Sequence, residues 1–358
     1  MEWPFHEYRQ GTACRFLLLC NYSRQHEKTC GRTDYHFTMK KTLLTIGTCL
    51  LFYGMQAQLP PTLGHYNALS YLINPASAGS TGNTSFSAAA RNQWTGIEKS
   101  PRYVLFCAET RFKKKSGGGA GSDEGLFNSE KGKVGLGITL YDDRNGHFDR
   151  TGLQFSYAYH ITLQNYNQLS FGLSASAFQM RINDKDMTLR DPGDPVMNGI
   201  ARVIYVPDAN TGILLSGIHY YAGLSVSQLF NAKIKFGNEN LSYYQAPRCY
   251  YVTGGYFIDL PNSTAMIEPS FLLKSAGQNT QLDIGMNYHT RISMILGASL
   301  RTSSSVIFKL GGFVGNYLIL YAYEWGFSSI NKYSFGTHEL VITCHYKNVF
   351  RQKMKNPY

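Results

Sequence analysis

Ser156 and His160 stand four residues apart in an alternating stretch, and a serine beside a histidine is raw material for nucleophilic catalysis. Nucleophile and base must come within hydrogen-bond reach, whereas four residues along a strand cover about 13 Å. The pair is not expected to act together. Asp142-Asp143-Arg144-Asn145-Gly146 opens like a calcium loop but lacks the acids at alternate positions and the bidentate glutamate. Asn145-Gly146 reads better as a hairpin turn. Gly117-Gly118-Gly119-Ala120-Gly121-Ser122 has no lysine at its end and no helix after it, as a P-loop requires, and reads as a flexible connection. His338-Glu339 opens the last alternating run and reads as a salt link at an interface. Of seven cysteines, four precede residue 50; Cys107, Cys249 and Cys344 are far apart, with no C-x-x-C, and suit small positions in a wall. No catalytic residue, metal site or cofactor is expected, and the chain does not read as an enzyme.

The elements that hold these residues are strands. Leu153, Phe155, Tyr157 and Tyr159 alternate with Gln154, Ser156, Ala158 and His160. Leu169, Phe171, Leu173, Ala175 and Ala177 alternate with Ser170, Gly172, Ser174 and Ser176, and Leu282, Ile284, Met286 and Tyr288 with Gln281, Asp283, Gly285 and Asn287. Period two gives each strand one apolar and one polar face. About fourteen such runs follow one another, near 82–94, 100–112, 132–142, 150–163, 167–180, 208–216, 218–229, 248–260, 263–275, 279–288, 291–301, 304–312, 316–325 and 338–347. The chain of 358 residues is 14% aromatic and only 16% charged, against about 25% charged in an ordinary soluble domain. Tyr220, Tyr221, Tyr250, Tyr251, Tyr317, Tyr321 and Tyr323 near strand ends suggest aromatic girdles. The net charge of +11 is scattered rather than gathered into a stripe, so nucleic acid is not an expected partner.

Met39-Lys40-Lys41, the apolar run Thr42–Gly54 and Met55-Gln56-Ala57 have the order of a secretory signal peptide. Cleavage is expected after Ala57, and residues 1–38 read as an extension upstream of the true start. No later stretch has the roughly 18 consecutive apolar residues of a membrane helix. An exported chain that stays with a membrane must then close its strands into a barrel, because lipid satisfies no free backbone group. The expected organisation is a signal peptide at 39–57, an N-terminal lead-in or plug segment at 58–81, an all-β transmembrane antiparallel barrel of about 14 strands at 82–347, and a periplasmic tail at 348–358. A soluble β-sandwich shows the same period and stays open. Asn74-Pro75-Ala76-Ser77-Ala78-Gly79 reads as a fixed turn that sets the route into the first strand. In a barrel, arginine should be costly on the apolar face at Phe171 and tolerated on the polar face at Ser174.

An ordered set of pieces resembles the PorP/SprF family of type IX secretion outer-membrane proteins of Bacteroidetes. It starts with Asn74, Pro75, Ala76 and Gly79, then Gln93-Trp94-Thr95-Gly96 with Pro101. Asp143–Gly146, Tyr157-Ala158-Tyr159 and Leu169–Leu173 follow. Pro207-Asp208-Ala209-Asn210-Thr211-Gly212, Tyr221–Ser225 and Pro269-Ser270 with Lys274 come next, and Tyr321-Ala322-Tyr323-Glu324 with His338-Glu339 closes it. Glu324 stands where aspartate is usual and Thr337 where serine is usual. The resemblance implies a non-enzymatic barrel that supports secretion or surface attachment of a large adhesin-type cargo, including gliding adhesins. Such a barrel would bind the cargo or couple it to periplasmic ring or motor proteins. A passive channel or uptake barrel for small solutes is the alternative.

With an even strand count and the first strand rising from the periplasm, connections after even strands are periplasmic. Those after strands four, six, eight, ten and twelve are short. The connection at 113–131 is long and begins with Lys113-Lys114-Lys115, which could dock a periplasmic partner through charge.

Overall fold

A computed structural model describes residues 61–112, 133–182, 203–235, 243–261, 264–277, 279–302 and 304–346. The leader, Gly117–Ser122, the basic run Lys113-Lys114-Lys115 and the tail lie outside the described residues.

Fourteen strands among the described residues form one antiparallel barrel: β1 (Thr84–Asn92), β2 (Arg102–Phe112), β3 (Val134–Asn145), β4 (Phe148–Thr162), β5 (Gln168–Ile182), β6 (Val203–Ser216), β7 (Tyr220–Ser227), β8 (Cys249–Tyr256, resumed at Ile258–Asp259), β9 (Met266–Ala276), β10 (Asn279–His289), β11 (Met294–Arg301), β12 (Ser305–Val314), β13 (Tyr317–Gly326) and β14 (Thr337–Tyr346). Neighbours in sequence pair in order. β14 returns to β1, from Thr84 opposite Tyr346 to Asn92 opposite His338, and closes the wall. A small hairpin, Lys233–Lys235 with Tyr243–Gln245, lies between β7 and β8. Closure gives every strand a neighbour on each side, which is what a sheet needs in lipid, apart from an overhang of β6 at its Val203 end. Among the described residues no helix is long and apolar enough to cross a membrane.

Burial follows the alternation. Phe155, Tyr157, Tyr159, Phe171 and Leu173 are exposed on the outside, and Ser156, Ala158, His160, Ser170 and Ser174 are buried inside. Phe112, Tyr288, Tyr317 and Tyr346 at one end, and Phe148, Tyr205, Tyr250 and Trp325 at the other, expose their rings outward. Tyr221 and Tyr251 do not join these girdles. They point inward, where Tyr221 packs on Phe257 and Tyr251 on Tyr66 and Leu272. Adjacent residues on a strand cannot share a face.

Several boundaries differ from the period-two reading. Pro207 lies inside β6, opposite Ala177, rather than ahead of it. β7 pairs with β6 only from Thr211 to Ser216, so Pro207 sits on a free edge where no ladder N–H is missed. Pro269, by contrast, lies within β9 as the run at 263–275 implied; there pairing with β8 lapses between Gly255–Ser270 and Ile258–Ile267 and then resumes in the same register. The turn between β3 and β4 is Gly146-His147, one residue later than expected, because Asn145 pairs with Phe148 and Gly146 takes φ 63°.

The inner face is not open water. Ser174 is 1% exposed and bonds Ser156 at 2.9 Å, so an arginine there meets packed protein and the expected tolerance does not hold. Ser176 lines a cavity and pairs with Asp208 across the ladder. Phe171→Arg is expected to cost about 2–4 kcal/mol at the bilayer midplane and less toward either interface. Ser176→Arg is expected to assemble almost normally. Heat-modifiable gel mobility of membrane fractions compares the two, and equal loss would reject the inside-out assignment.

Candidate functional site in the lumen

Residues 61–83 run through the inside of the barrel. Two barrel ends can be distinguished: a near end, where β1 starts and β14 finishes, and a far end. Pro61 and Thr62 lie in the far half. There the Lys274 ammonium donates to the Thr62 hydroxyl at 2.9 Å, and Pro61 lines a cavity of about 150 Å³ with Tyr103, Asp143 and Phe178. The chain then descends. Tyr66 meets Ser270, Asn67 donates to Glu268 at 2.8 Å, and Tyr71 donates to the Ile138 carbonyl. By Gly79 it has reached the near end, donating its N–H to Glu109 at 2.9 Å before β1 begins.

Asn74–Gly79 is more than a turn. Pro75–Ser77 form one turn of 3₁₀ helix, with proline at its first position and the Asn74 side chain accepting the Ala76 N–H at 3.0 Å. The other end of the same amide donates to the Ile213 and Leu224 carbonyls in the wall. Ala76 and Ala78 are fully buried. The wall beneath is glycine. A Cβ at Gly172 would fall 2.0 Å from the Ala76 nitrogen, at Gly135 2.0 Å from the Ala78 oxygen, and at Gly212 2.1 Å from Asn74 Oδ1. Small residues on both sides let backbone lie on backbone. The His160 Nε2–H donates to the Ala78 carbonyl at 3.0 Å, leaving Nδ1 to accept from Ser170 Oγ at 2.8 Å. This histidine anchors the segment; both partners are wholly buried, and Ser156 bonds Ser174 instead.

The upper lumen carries an ionic lattice. Arg301 donates twice to Asp283, from Nη2 at 2.8 Å, and bonds both Glu324 oxygens. Arg91 reaches Glu324 at 2.7 Å and Glu339 at 3.5 Å. Glu339 in turn accepts the N–H groups of Gly64 and His65 at 2.7 and 3.0 Å. Among the described residues, five basic side chains (Arg91, Arg111, Lys274, Arg301, Lys309) and five acidic ones (Asp208, Glu268, Asp283, Glu324, Glu339) are buried, so the fully buried charges are equal in number.

The far-end loops are also stitched. Thr95 N–H donates to Gly336 O at 2.8 Å and Phe335 N–H to Thr95 O at 2.7 Å, which extends the β1–β14 seam past the strand ends. Trp94 N–H donates to the Thr337 hydroxyl, and Gly96, at φ 100°, lies against the Phe335 ring.

The profile described as type IX secretion system membrane protein PorP/SprF matches residues 55–344. The chain belongs to the PorP/SprF family. PorP/SprF is a family of secretion-system membrane proteins, not of enzymes, and with the barrel it places this chain in the outer membrane as a type IX component. No curated protein matches the sequence. Among solved structures the chain is similar to the outer membrane protein Omp33 of Acinetobacter baumannii, at 6% identity and TM-score 0.42, covering 74% of this chain and 98% of that one. It is similar to CdiB from Acinetobacter baumannii at 6% identity and TM-score 0.40, covering 74% and 60%. The translocator domain of the autotransporter NalP from Neisseria meningitidis shows 9% identity and TM-score 0.30, covering 89% and 100%.

In this PorP/SprF chain the motif residues fall in separate places. Asn74, Pro75, Ala76, Gly79 and Gly212 build the anchor, with Ser270 and Glu339 holding the segment higher up. Trp94 and Gly96 belong to the far seam. Asp208 and Asn210 accept the backbone N–H groups of Phe230 and Gln228, fastening the chain after β7 to the overhang of β6 that Pro207 permits. His338 and Glu339 do not form a link with each other. His338 faces outward, bonded to the Tyr321 hydroxyl at 2.7 Å, and Glu339 inward. Arg91, Arg301, Lys309 and Gly135 were not singled out in the sequence; Asp283 entered as a place on the polar face of a strand, and Gly172 as such a place and as part of the Leu169–Leu173 family piece.

Proposed function

We propose that this barrel is a scaffold that binds an adhesin-type cargo, or couples it to periplasmic ring or motor proteins, during type IX secretion or gliding. The observation that carries the reading is the occupied lumen. A segment pinned by buried charges and by glycine-backed contacts fills the space that a conduit would need, so the barrel's surfaces and loops are left for partners. Export through the leader at 39–57 and a docking role for Lys113, Lys114 and Lys115 belong to the same reading; attraction by those lysines would weaken as salt rises. A passive solute channel instead requires a continuous aqueous path.

Affinity purification of the tagged barrel from native outer membranes tests this, with conductance of the same sample in planar bilayers. Retention of a large secreted protein or of periplasmic components, without steady conductance, is the expected result. Replacing the three lysines by glutamine should lower recovery of the periplasmic components while leaving the barrel assembled. A steadily open pore that retains nothing would overturn the proposal in favour of the channel.

A further inference from the structure

The odd-numbered residues of β6 turn their backbone groups toward β7: just past the strand end Gly217 donates to the Tyr220 carbonyl at 2.8 Å, and the ladder stops with Thr211 opposite Val226. The even-numbered residues serve β5, and that ladder runs on to Val203 opposite Arg181. From Val203 to Asn210 β6 therefore has a strand on one side only. Ala209 O takes the Leu229 N–H at 3.0 Å. Beyond it, the N–H and C=O groups of Val203 and Tyr205 and the Pro207 C=O have no hydrogen-bond partner among the described residues, and all three residues are exposed. The chain after β7 is held away from this edge. Gln228 at φ 60° and Asn231 at φ 48° are left-handed, a shape that residues other than glycine take at a cost. Asn210 and Asp208 accept the Gln228 and Phe230 N–H groups, both at 3.1 Å, in place of a continued ladder. The outer face turns polar at this height. Tyr205 lies opposite Gln179, Gln179 opposite Thr151 and Thr151 opposite Asp142; beside them Arg181 pairs with Asp149 at 2.9 Å. The overhang thus stands clear of the lipid, where open backbone groups are not tolerated. Sheets usually cover or blunt such an edge. Pro207 blunts one position, and two full donor–acceptor positions stay open.

We propose that the β6 overhang takes one extended strand of the secreted cargo, added antiparallel along the Val203–Pro207 edge in line with β7. Donors and acceptors that alternate along a strand edge are matched by another extended backbone, and strand addition to an open edge is a general mode of peptide recognition. Partner residues opposite Val203 and Tyr205 share the outer face with the Tyr205 ring, which is 74% exposed and suits an aromatic or β-branched neighbour. Pro207 offers a carbonyl and no N–H, which marks one end of the register. That the strand comes from a cargo rests on the secretion reading above; its addition to this edge does not.

The test places the photocrosslinker p-benzoylphenylalanine at Val203 or at Tyr205 of the full barrel in native outer membranes, with the crosslinked sites located by mass spectrometry. Both positions should reach one segment of a secreted protein, and the site reached from Tyr205 should lie about two residues N-terminal to that reached from Val203, as an antiparallel ladder requires. Two further variants separate backbone from side chain. Tyr205→Pro removes an edge N–H and leaves the β5 ladder its bonds, whereas Tyr205→Ala removes the ring and keeps the N–H. With the crosslinker at Val203, the yield should fall about tenfold or more in Tyr205→Pro, the scale of a lost hydrogen bond with its partner left unpaired, and clearly less in Tyr205→Ala. If Tyr205→Pro fails to assemble by heat-modifiable mobility, the spacing of the two crosslinked sites decides. No crosslinks, crosslinks to lipid, to the barrel's own chain or to a second copy, sites without the fixed spacing, or equal yields in the two variants overturn the proposal. A barrel that retains a secreted protein without these crosslinks loses this inference and keeps the secretion reading. The same spacing on a protein that is not secreted keeps the added strand and overturns the cargo as its source.

Discussion

A single methyl group at position 172 is expected to unseat the segment that crosses the lumen. In Gly172→Ala the new Cβ would lie 2.0 Å from the Ala76 nitrogen and 2.3 Å from the Pro75 carbonyl carbon. Both are backbone atoms of a proline-fixed turn, so no side-chain rotation relieves the clash. β5 keeps its ladder, and alanine costs a strand less than glycine does. The strain therefore falls on the segment. Overpacking typically costs about 1–3 kcal/mol; at the upper end that raises the displaced population about a hundredfold. The readout is Ser77→Cys in a background lacking Cys107, Cys249 and Cys344. Ser77 is 3% exposed, so a thiol introduced there should resist a maleimide in the parent. With Gly172→Ala it should label readily, and bilayer conductance should appear. Gly326→Ala is the control, since a Cβ there would meet nothing closer than 3.9 Å. Continued protection of the introduced thiol in the Gly172→Ala barrel would show that the contact does not hold the segment.

This anchor also marks where sequence stops being sufficient. The barrel wall was legible because period two is local: Leu169 to Ser176 show both faces within eight residues, and most strand bounds fall within a few residues of the expected ones. Asn74–Gly79 was legible as a rigid turn, for proline and glycine act on their own backbone. What it rests on was not. Gly135, Gly172 and Gly212 are far along the chain, on three different strands; Gly172 and Gly212 stand in family pieces, but nothing local ties them, or Gly135, to Asn74–Gly79. The ionic lattice has the same property. Arg91 meets Glu339 only because β1 pairs with β14, which is the closure itself. Pro207 misled because proline normally stands outside a ladder; the short reach of β7 along β6 supplies a free edge that no local pattern reveals.

Loss of Arg301 is expected to destabilise the barrel more than any other single change to a side chain in the upper lumen. Its guanidinium is 5% exposed and is shared between Asp283 and Glu324, with Nη2 also reaching the Thr62 carbonyl at 3.4 Å. Arg301→Met keeps the stem and removes the charge. Among the described residues, Asp283 then keeps only the Gln281 amide among its hydrogen bonds to side chains, and Glu324 depends on Arg91 and Ser305. Breaking one side of a buried ion pair costs roughly 3–5 kcal/mol, because the remaining charge stays desolvated. That argument predicts a rescue. Arg301→Met with Asp283→Leu removes the stranded carboxylate, while Glu324 retains Arg91 at 2.7 Å, and replacing a whole buried pair by apolar groups is often close to neutral. Urea unfolding of the barrel in lipid vesicles, followed by heat-modifiable mobility, compares the three proteins. The single variant should unfold at clearly lower urea and the double variant should recover most of the difference. A double variant as weak as the single one would mean that Arg301 acts through the Thr62 carbonyl and the plug rather than by neutralising Asp283.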